Sequence, residues 1–239
     1  MGTSHAIPNY PIKISRRTDP FYVRRLPRWK RAMDIVGAVV GLILFSPMFA
    51  AIAAYIRIVS PGPVIFRQTR IGRGGRHFEF IKFRTMAHGA NTDSHQKYYC
   101  ELIHGTPCDA AGKPMIKLEN DPRIVPLGGI LRKSYLDELP QLLNVLKGQM
   151  SLVGPRPPIP YEVQEYSRWH TGRFDCLPGM TGLWQVSGKN NLTFQEMVRL
   201  DIQYARKMSP LLDLKILFKT PFAIMKEVFH FLKKGQTKD

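Results

Sequence analysis

Two adjacent carboxylates, Asp137 and Glu138, stand at the head of a short apolar pattern in the second half of the chain. The residues that recur at helical spacing behind them are Leu139, Leu142, Leu143 and Leu146. Pro140 fits only in the first turn of a helix, where its missing N–H has no intrahelical acceptor. The pattern therefore predicts a helix with Asp137 as its N-cap, where the helix dipole keeps a carboxylate ionised and attracts phosphate oxygens. A purely structural cap is the alternative.

This acidic pair lies among basic residues. Arg132 and Lys133 precede it, and Arg156 follows between two prolines, whose stiff backbone pre-positions the guanidinium for bidentate binding of a phosphate. Lys82 and Arg84 alternate with apolar residues and so project from one face of a predicted strand. Acidic residues among cations are typical of sites that handle metal and phosphate. The alternatives are solvated charges on the strand and an arginine packed against aromatic rings.

The composition of the 239-residue chain indicates a polyanionic partner. Its formal charge of +17 and pI near 10.0 suit nucleic acid, anionic lipid or phosphorylated substrates. Three cysteines make no disulfide framework, which indicates a reducing compartment, and no cleavable signal peptide is expected. Residues 1–31 carry eight Lys or Arg and one acid, which predicts a basic arm near a negatively charged surface or a solvated tail. Asp34 is expected to cap the following helix and to pair with Lys30 or Arg31.

An uncharged run of 22 residues extends from Ile35 to Ile56. As one straight helix it would span about 33 Å, enough to cross a bilayer core. Ser46 and Pro47 interrupt its middle, where a proline bends a helix, and Lys or Arg flank both ends. Because the positive-inside rule places both flanks in the cytosol, the pattern favours a re-entrant membrane hairpin over residues 32–59. A single crossing and a buried soluble hairpin are the alternatives.

Residues 60–239 are predicted to form a compact cytosolic catalytic domain. Strands are expected over Val64–Gln68 and His77–Thr85, joined by a glycine-rich hairpin loop. The segment 87–120 is predicted to be an irregular insertion, and its histidines and cysteines match no common zinc spacing. The segment 211–234 is basic and amphipathic, which suits a membrane interface or packing on the core. The expected fold class is α/β, mostly helical with a small sheet, with amphipathic interfacial helices and an N-terminal re-entrant helix–break–helix.

Shorter signals mark the last third of the chain. Leu183–Gly188 is predicted to be a short strand. Thr193 and Glu196 form a capping box, which predicts that a helix begins there. Pro221 is expected to interrupt the amphipathic segment.

Ordered motifs from about residue 30 to 220 resemble the bacterial sugar transferase family, the monotopic polyprenyl-phosphate phosphoglycosyl transferases. The motifs that carry the resemblance are Lys30-Arg31-x-x-Asp34, Ser46-Pro47, Ser60-Pro-Gly-Pro-Val-Ile-Phe-Arg-Gln68, Lys82-Phe-Arg-Thr-Met86, Asp121-Pro-Arg-Ile124, Leu136-Asp-Glu-Leu-Pro-Gln-Leu142, Ser151-Leu-Val-Gly-Pro-Arg-Pro157, Pro178-Gly-Met-Thr-Gly-Leu-Trp-Gln-Val-Ser-Gly188 and Leu212-Asp-Leu-Lys-Ile216. The insertion at 87–120 carries no motif of the family.

The resemblance implies transfer of a sugar 1-phosphate from a UDP-sugar to undecaprenyl or another polyprenyl phosphate, with release of UMP. It implies that Asp137 is a nucleophile that forms a covalent phosphosugar intermediate, assisted by Glu138 and Mg²⁺, for which both carboxylates are candidate ligands. The candidates for binding phosphate groups are Lys82, Arg84, Arg132 and Arg156.

The same resemblance places the chain at the bacterial inner membrane, with its catalytic domain on the cytosolic face. Such an enzyme would initiate synthesis of an exopolysaccharide, O-antigen or other glycoconjugate. Membrane lipid is then a partner and nucleic acid is not, while the oligomeric state stays open and includes a homodimer. Two alternatives are a membrane-anchored basic protein that binds nucleic acid or lipid without catalysis, and a structural scaffold of a polysaccharide assembly complex.

Overall fold

The computed structural model describes residues 25–86, 102–103, 124–188 and 192–236. It is mostly helical with two small sheets, in agreement with the expected fold class. Within these ranges one sheet is an antiparallel hairpin and the other a short parallel pair. Most of the predicted insertion lies outside the described residues, including the candidate zinc ligands His95, Cys100, His104 and Cys108. The basic arm up to residue 24 lies outside them as well.

Two helices, α1 (Arg28–Leu44) and α2 (Ser46–Val59), form a bent pair with an angle of 61° between them. Pro47 lies in the first turn of α2, where it displaces no intrahelical hydrogen bond. Ser46 Oγ donates to the Ile43 carbonyl across the break at 2.8 Å. The structure therefore has a helix break at the predicted residues. Among the described helices none alone is long and apolar enough to cross a bilayer, whereas this pair together meets the length and composition required.

The helix α1 begins at Arg28, earlier than predicted, and this changes the role of Asp34. The prediction that Asp34 caps the helix is wrong, because Asp34 lies in the second turn of α1. Its Oδ1 accepts hydrogen bonds from Ser151 Oγ at 2.8 Å and from the Leu152 amide at 2.9 Å. The predicted pairing with Lys30 is confirmed, with 3.8 Å between Lys30 Nζ and Asp34 Oδ1.

One face of α1 packs directly on the core of the domain. Ala38 on this face is fully buried. A Cβ atom at Gly37 would lie 2.4 Å from Leu152 Cδ1, and one at Gly41 would lie 3.1 Å from Leu142 Cδ1. The glycines therefore allow α1 to approach its neighbours more closely than a larger residue would. The residues exposed on the rest of its surface are Ile35, Val36, Val39, Val40, Ile43 and Leu44.

The predicted hairpin is present as β1 (Ile65–Ile71) and β2 (His77–Phe83). The strands pair antiparallel, and Phe66 lies opposite Lys82. A 3₁₀ turn over Arg73–Gly75 joins them, with φ of 63° at Gly74 and 73° at Gly75. Both values lie in the left-handed region, so glycine is the residue that this turn favours.

The segment with the acidic pair follows the hairpin. It comprises α3 (Gly128–Lys133), a 3₁₀ turn over Leu136–Glu138 and α4 (Gln141–Leu146). The strand β3 (Ser151–Val153) then pairs in parallel with β4 (Gly179–Thr181).

Between those two strands lie the short helix α5 (Pro160–Gln164) and a 3₁₀ segment over Arg168–Asp175. The strand predicted over Leu183–Gly188 is wrong, because its centre forms a 3₁₀ turn at Trp184–Val186. The capping box is confirmed: Thr193 and Glu196 exchange hydrogen bonds at the start of α6 (Phe194–Lys207).

The long helix α7 (Pro210–Gln236) follows α6. It continues through Pro221, so the predicted interruption is wrong. Thr220 Oγ1 donates to the Ile216 carbonyl at 2.8 Å, next to the gap in the hydrogen-bond ladder that the proline leaves. Large apolar residues spaced by three or four positions form an exposed stripe: Leu211, Leu214, Phe218, Phe222, Met225 and Phe229. We call this set the α7 stripe.

A buried ionic cluster joins α1 to the C-terminal helices. Lys30 Nζ lies 2.5 Å from Asp213 Oδ2 and donates to the Val153 carbonyl at 2.9 Å. The Tyr204 hydroxyl lies within donating distance of two acceptors, Asp213 Oδ1 at 2.7 Å and the Val153 carbonyl at 2.9 Å. None of these side chains is more than 2% exposed. Removing one partner from such a cluster would leave a buried charge uncompensated, which is strongly destabilising.

Candidate active site

Asp137 lies in the 3₁₀ turn rather than at the N-cap of the following helix. The N-cap prediction is wrong because Pro140, with φ of −58°, itself occupies the residue before α4. The proline fixes where the helix begins, and a separate turn carries the two acids. Asp137 is only 3% exposed, so its carboxylate is buried although it has no capping role.

The turn is held in a conformation that few residues adopt. Tyr135, immediately before it, has φ of 58°, which is uncommon for a residue with a side chain. Its hydroxyl lies 3.1 Å from Glu227 Oε2 and donates to it, which links the turn to α7. Backbone conformations of this kind occur at functional sites, where surrounding contacts hold them. Sequence reasoning did not identify Tyr135 or Glu227, and neither residue carries a local signal for this contact.

Lys82 lies beside the acidic pair, with its Nζ 3.9 Å from Asp137 Oδ2. The same ammonium lies 5.5 Å from the centroid of the Phe66 ring, the residue opposite it in the hairpin. Burial lowers the pKa of Lys82 below its ordinary value. The side chain predicted to project from the strand therefore reaches the carboxylate that begins the Asp-Glu pair.

Burial raises the pKa of Asp137 to about 7. Lys82 and Arg132 oppose this increase, while the neighbouring Glu138 adds to it. Loss of hydration disfavours the charged form of a carboxyl group, and nearby cations partly restore it. The result is a buried acid whose charge changes near neutral pH, a property that is enriched at functional sites.

Asn144 fixes the helix behind the acidic pair to the hairpin. It is 1% exposed, and its amide nitrogen donates to the Glu79 carbonyl at 2.7 Å. Its Oδ1 accepts a hydrogen bond from the Ile81 amide at 3.3 Å, on the residue before Lys82. The strand that carries Lys82 and the helix that follows Asp137 are therefore joined by one side chain.

Gln141, one turn after Asp137, is a second buried polar residue of α4. It is 1% exposed, and its Nε2 has no hydrogen-bond partner. Sequence reasoning missed both Gln141 and Asn144. The signal available was two amides inside an otherwise apolar helical pattern, four and seven residues after Asp137.

The other three predicted phosphate-binding residues occupy different places. Arg132 lies in the last turn of α3, near enough to lower the pKa of Asp137. Arg84 is 5% exposed, and its guanidinium donates to the Ser60 carbonyl at 2.7 Å and to the Pro61 carbonyl at 3.0 Å. Both of these hydrogen bonds hold the segment between α2 and β1. The Arg84 guanidinium therefore binds backbone carbonyls in this structure.

Arg156 belongs to a different cluster. Its charge acts on Asp201, Arg173 and Tyr166, and its carbonyl accepts a hydrogen bond from Arg173 at 3.1 Å. Arg173 in turn pairs with Asp201 at 2.5 Å. Of the four predicted cations, Lys82 contacts Asp137 and Arg132 is near enough to lower its pKa, whereas Arg84 bonds backbone carbonyls and Arg156 belongs to the Arg173 cluster.

The acidic pair fits a magnesium ion that shares its ligands with a substrate. Within the described ranges no group of three or more His, Cys, Asp or Glu could hold a metal. Mg²⁺ does not require such a group, because it commonly uses one or two carboxylates together with water and substrate phosphates. Asp137 and Glu138 supply two carboxylates that interact with each other, so the donor set suits an ion that arrives with a diphosphate.

Comparison with known proteins identifies the relatives of this chain. The family model described as bacterial sugar transferase matches residues 25–227. A galactosyl transferase of Streptococcus agalactiae, CpsE, is 45% identical over 192 residues, which cover 80% of this chain and 41% of that protein. The exopolysaccharide production protein ExoY of Rhizobium meliloti is 41% identical, with 80% of this chain and 83% of ExoY covered.

A third relative has a more specific name. The UDP-glucose:undecaprenyl-phosphate glucose-1-phosphate transferase of Escherichia coli is 38% identical over 201 residues, which cover 81% of this chain and 39% of that protein. The chain therefore spans about two fifths of the length of CpsE and of the E. coli transferase, and most of the length of ExoY.

Proposed function

The chain belongs to the bacterial sugar transferase family, and on that basis we propose that it is a phosphoglycosyl transferase. The proposed reaction moves a sugar 1-phosphate from a UDP-sugar to undecaprenyl or another polyprenyl phosphate and releases UMP. This step would initiate synthesis of an exopolysaccharide, O-antigen or other glycoconjugate. The names of the E. coli transferase and of ExoY support the two substrates and the polysaccharide product.

The observation that carries the proposal is the buried carboxylate of Asp137 beside Lys82, with Arg132 near enough to lower its pKa. In the proposed mechanism an Asp137 oxygen attacks the β-phosphorus of the UDP-sugar. The bond from that phosphorus to the bridging oxygen breaks, and UMP leaves with the bond's electron pair. An oxygen of the lipid phosphate then attacks the same phosphorus and displaces Asp137, which regenerates the carboxylate. A carboxylate is a weak nucleophile, so it requires cations that neutralise the phosphates.

In this mechanism Lys82 and Arg132 would offset negative charge on the diphosphate. Glu138 stands next to the nucleophile and would hold Mg²⁺ together with it. When bound, that ion would neutralise phosphate charge and lower the pKa of the nucleophile. Burial of Asp137 keeps water from competing with the lipid phosphate for the phosphosugar.

The proposed membrane arrangement rests on three features of the chain. The bent pair of α1 and α2 exposes large apolar residues, and basic residues flank both of its ends. The α7 stripe presents a second apolar surface beside lysines of the same helix. We propose that the bent pair is a re-entrant hairpin in the bacterial inner membrane and that the catalytic domain lies on the cytosolic face, where a soluble nucleotide and a lipid phosphate both have access.

The test is UMP release from a panel of UDP-sugars by the purified chain with undecaprenyl phosphate and Mg²⁺. At least one donor should give UMP and a lipid-linked product, and chelation of the metal should stop the reaction reversibly. Enzyme quenched with the donor alone should carry a phosphosugar on Asp137, detected by mass spectrometry. Asp137→Asn should lose both activities, while Asp175→Asn, a carboxylate outside the described site, should keep them. Normal turnover by the Asp137→Asn variant would refute the mechanism.

A further inference from the structure

The helix that follows the acidic pair is too short to be stable by itself. The helix α4 has only six residues, and isolated helices of that length are not stable in water. The position of the turn that carries Asp137 therefore depends on contacts that hold α4 from outside. One such contact is the Asn144 bridge to the strand that carries Lys82. The other comes from the opposite side, from α1.

Arg31 of α1 binds the end of α4 through two hydrogen bonds. Its Nη1 donates to the Val145 carbonyl and its Nη2 to the Leu146 carbonyl, each at 2.6 Å. Carbonyls in the last turn of a helix lack intrahelical donors, and a cation there also opposes the negative end of the helix dipole. Gly148 lies beside the same guanidinium with φ of 75°, and a Cβ there would be 3.7 Å from Arg31 Cζ. The planar fork of arginine is thus fitted to the end of this helix.

The backbone that carries Arg31 is itself fixed. The preceding residue, Lys30, is held by Asp213 and by the Val153 carbonyl in the buried ionic cluster. On the same helix, Gly41 packs against Leu142 of α4 at a distance that leaves no room for a methyl group without displacement. The guanidinium therefore extends from a rigid helix to a short one, which makes it a fixed support rather than a mobile surface contact.

We propose that Arg31 is a positioning residue for Asp137, and that α1 is part of the support of the active site as well as half of the bent helix pair. Arg31 fixes the far end of α4, Asn144 fixes its side to β2, and together they set the distance between Asp137 and Lys82. The catalytic part of this inference rests on the proposed function. The structural part, that Arg31 determines how rigid α4 is, does not.

The experiment compares Arg31→Met and Arg31→Lys with a matched control, Lys147→Met. Lys147 is an exposed cation at the C-cap of α4, so its loss removes the same charge from the same helix end without removing the two hydrogen bonds. Two quantities are measured on the full chain in detergent micelles: amide hydrogen exchange of residues 136–148, with residues 194–207 as internal reference, and steady-state UMP release.

For Arg31→Met we expect amide exchange at 136–148 to accelerate by roughly tenfold or more while α6 keeps its protection, because local opening is governed by local contacts. We expect kcat to fall on the order of 10- to 100-fold with KM for the UDP-sugar within about twofold, since displacement of a reacting group affects the transition state more than binding. Arg31→Lys should recover part of both losses, and Lys147→Met should match the wild type.

The outcomes separate the two proposals. If Arg31→Met shows the expected faster exchange at 136–148 but the wild type releases no UMP, the proposed function fails and the role of Arg31 at α4 stands on exchange alone. Wild-type exchange at 136–148 in Arg31→Met would overturn the inference. Faster exchange across the whole chain in both Arg31 variants would show a general structural role instead, and this too would overturn it.

Discussion

Lys82 Nζ lies 3.9 Å from Asp137 Oδ2, so a partly exposed ammonium faces a buried carboxylate at the site. The two groups come from parts of the chain that no local signal connects: the second strand of a hairpin and a 3₁₀ turn. Burial raises the pKa of Asp137 and the nearby Lys82 partly lowers it again, so we expect the pH dependence of the enzyme to respond to both.

Removal of the Lys82 charge should move the pH profile to higher pH. In the wild type, kcat/KM for the UDP-sugar should fall about tenfold per pH unit below about 7, because Asp137 must be ionised to attack. Lys82 lowers the pKa of Asp137, so Lys82→Met should shift this acidic limb upward, and Lys82→Arg should keep it close to the wild-type position. UMP release measured between about pH 5.5 and 9 checks this. If the acidic side of the pH profile does not shift in Lys82→Met, the role of Lys82 in lowering the pKa of Asp137 is contradicted.

Asp137→Asn should lose transferase activity. Its stability relative to the wild type should increase as the pH rises. Burial raises the folded-state pKa of Asp137 from 3.8 to about 7. The stability that comes from the neutral acid is complete below the unfolded-state pKa and is lost as the pH rises through about 7. Asparagine does not ionise, so thermal unfolding should show the difference in Tm between variant and wild type growing from about pH 4 to 7, by a few degrees, and then levelling. A difference independent of pH would contradict the raised pKa.

Substitution of Arg84 should lower the stability of the protein, whereas substitution of Arg132 should lower its catalytic efficiency. Arg84→Met removes two hydrogen bonds to the Ser60 and Pro61 carbonyls, so it should cost about 2–4 kcal/mol of unfolding free energy with little change in KM. Arg132→Met should lower kcat/KM by about tenfold or more while Tm stays within a few degrees, because Arg132 acts on the charge at the site. Denaturation curves and UMP release on both variants check the contrast. The reverse pattern would return Arg84 to the list of phosphate-binding residues.

The α7 stripe should contribute directly to membrane binding. Phe218, Phe222 and Phe229 are between 59% and 73% exposed, and a buried phenyl side chain gains about 1.5–3 kcal/mol on leaving water. The triple change of these residues to serine should therefore weaken binding to phosphatidylglycerol vesicles by roughly tenfold or more in a flotation assay, while the far-ultraviolet circular dichroism is retained. Trp169→Ser is the control, because Trp169 is an exposed aromatic elsewhere on the fold. Equal binding by the triple variant would exclude the stripe from the interface.

The parts of the fold that were predicted correctly depend on local chemistry. Pro47 marks the helix break, paired glycines mark the hairpin turn, and Thr193 with Glu196 marks the start of α6. Each of these signals acts within a few residues, so periodicity and capping rules are sufficient. The strand predicted over Leu183–Gly188 failed because a short apolar run has no periodicity that distinguishes a strand from a turn.

The parts of the site that were missed depend on contacts between distant residues. The sequence identified Asp137, Glu138 and Lys82 as chemical groups, but it did not indicate that Arg84 bonds the backbone next to α2. Arg31 was predicted only as a positive flank of the apolar run, an alternative partner of Asp34 and part of a family motif, since its acceptors lie 114 and 115 residues later. The N-cap was predicted at Asp137, whereas Pro140 itself precedes α4 and the two acids lie in a separate turn that begins after the left-handed Tyr135.

The pairing of Lys30 with Asp213 across 183 residues has a consequence for the order in which the protein matures. On the ribosome, α1 emerges long before α7, and until then the ammonium of Lys30 has only Asp34 of its own helix as a carboxylate partner among the pairs described. We therefore expect the buried ionic cluster to be completed only when the start of α7 is available. A nascent chain stalled ahead of residue 213 should remain a target for chaperones and proteases, even though its catalytic segment has already been translated.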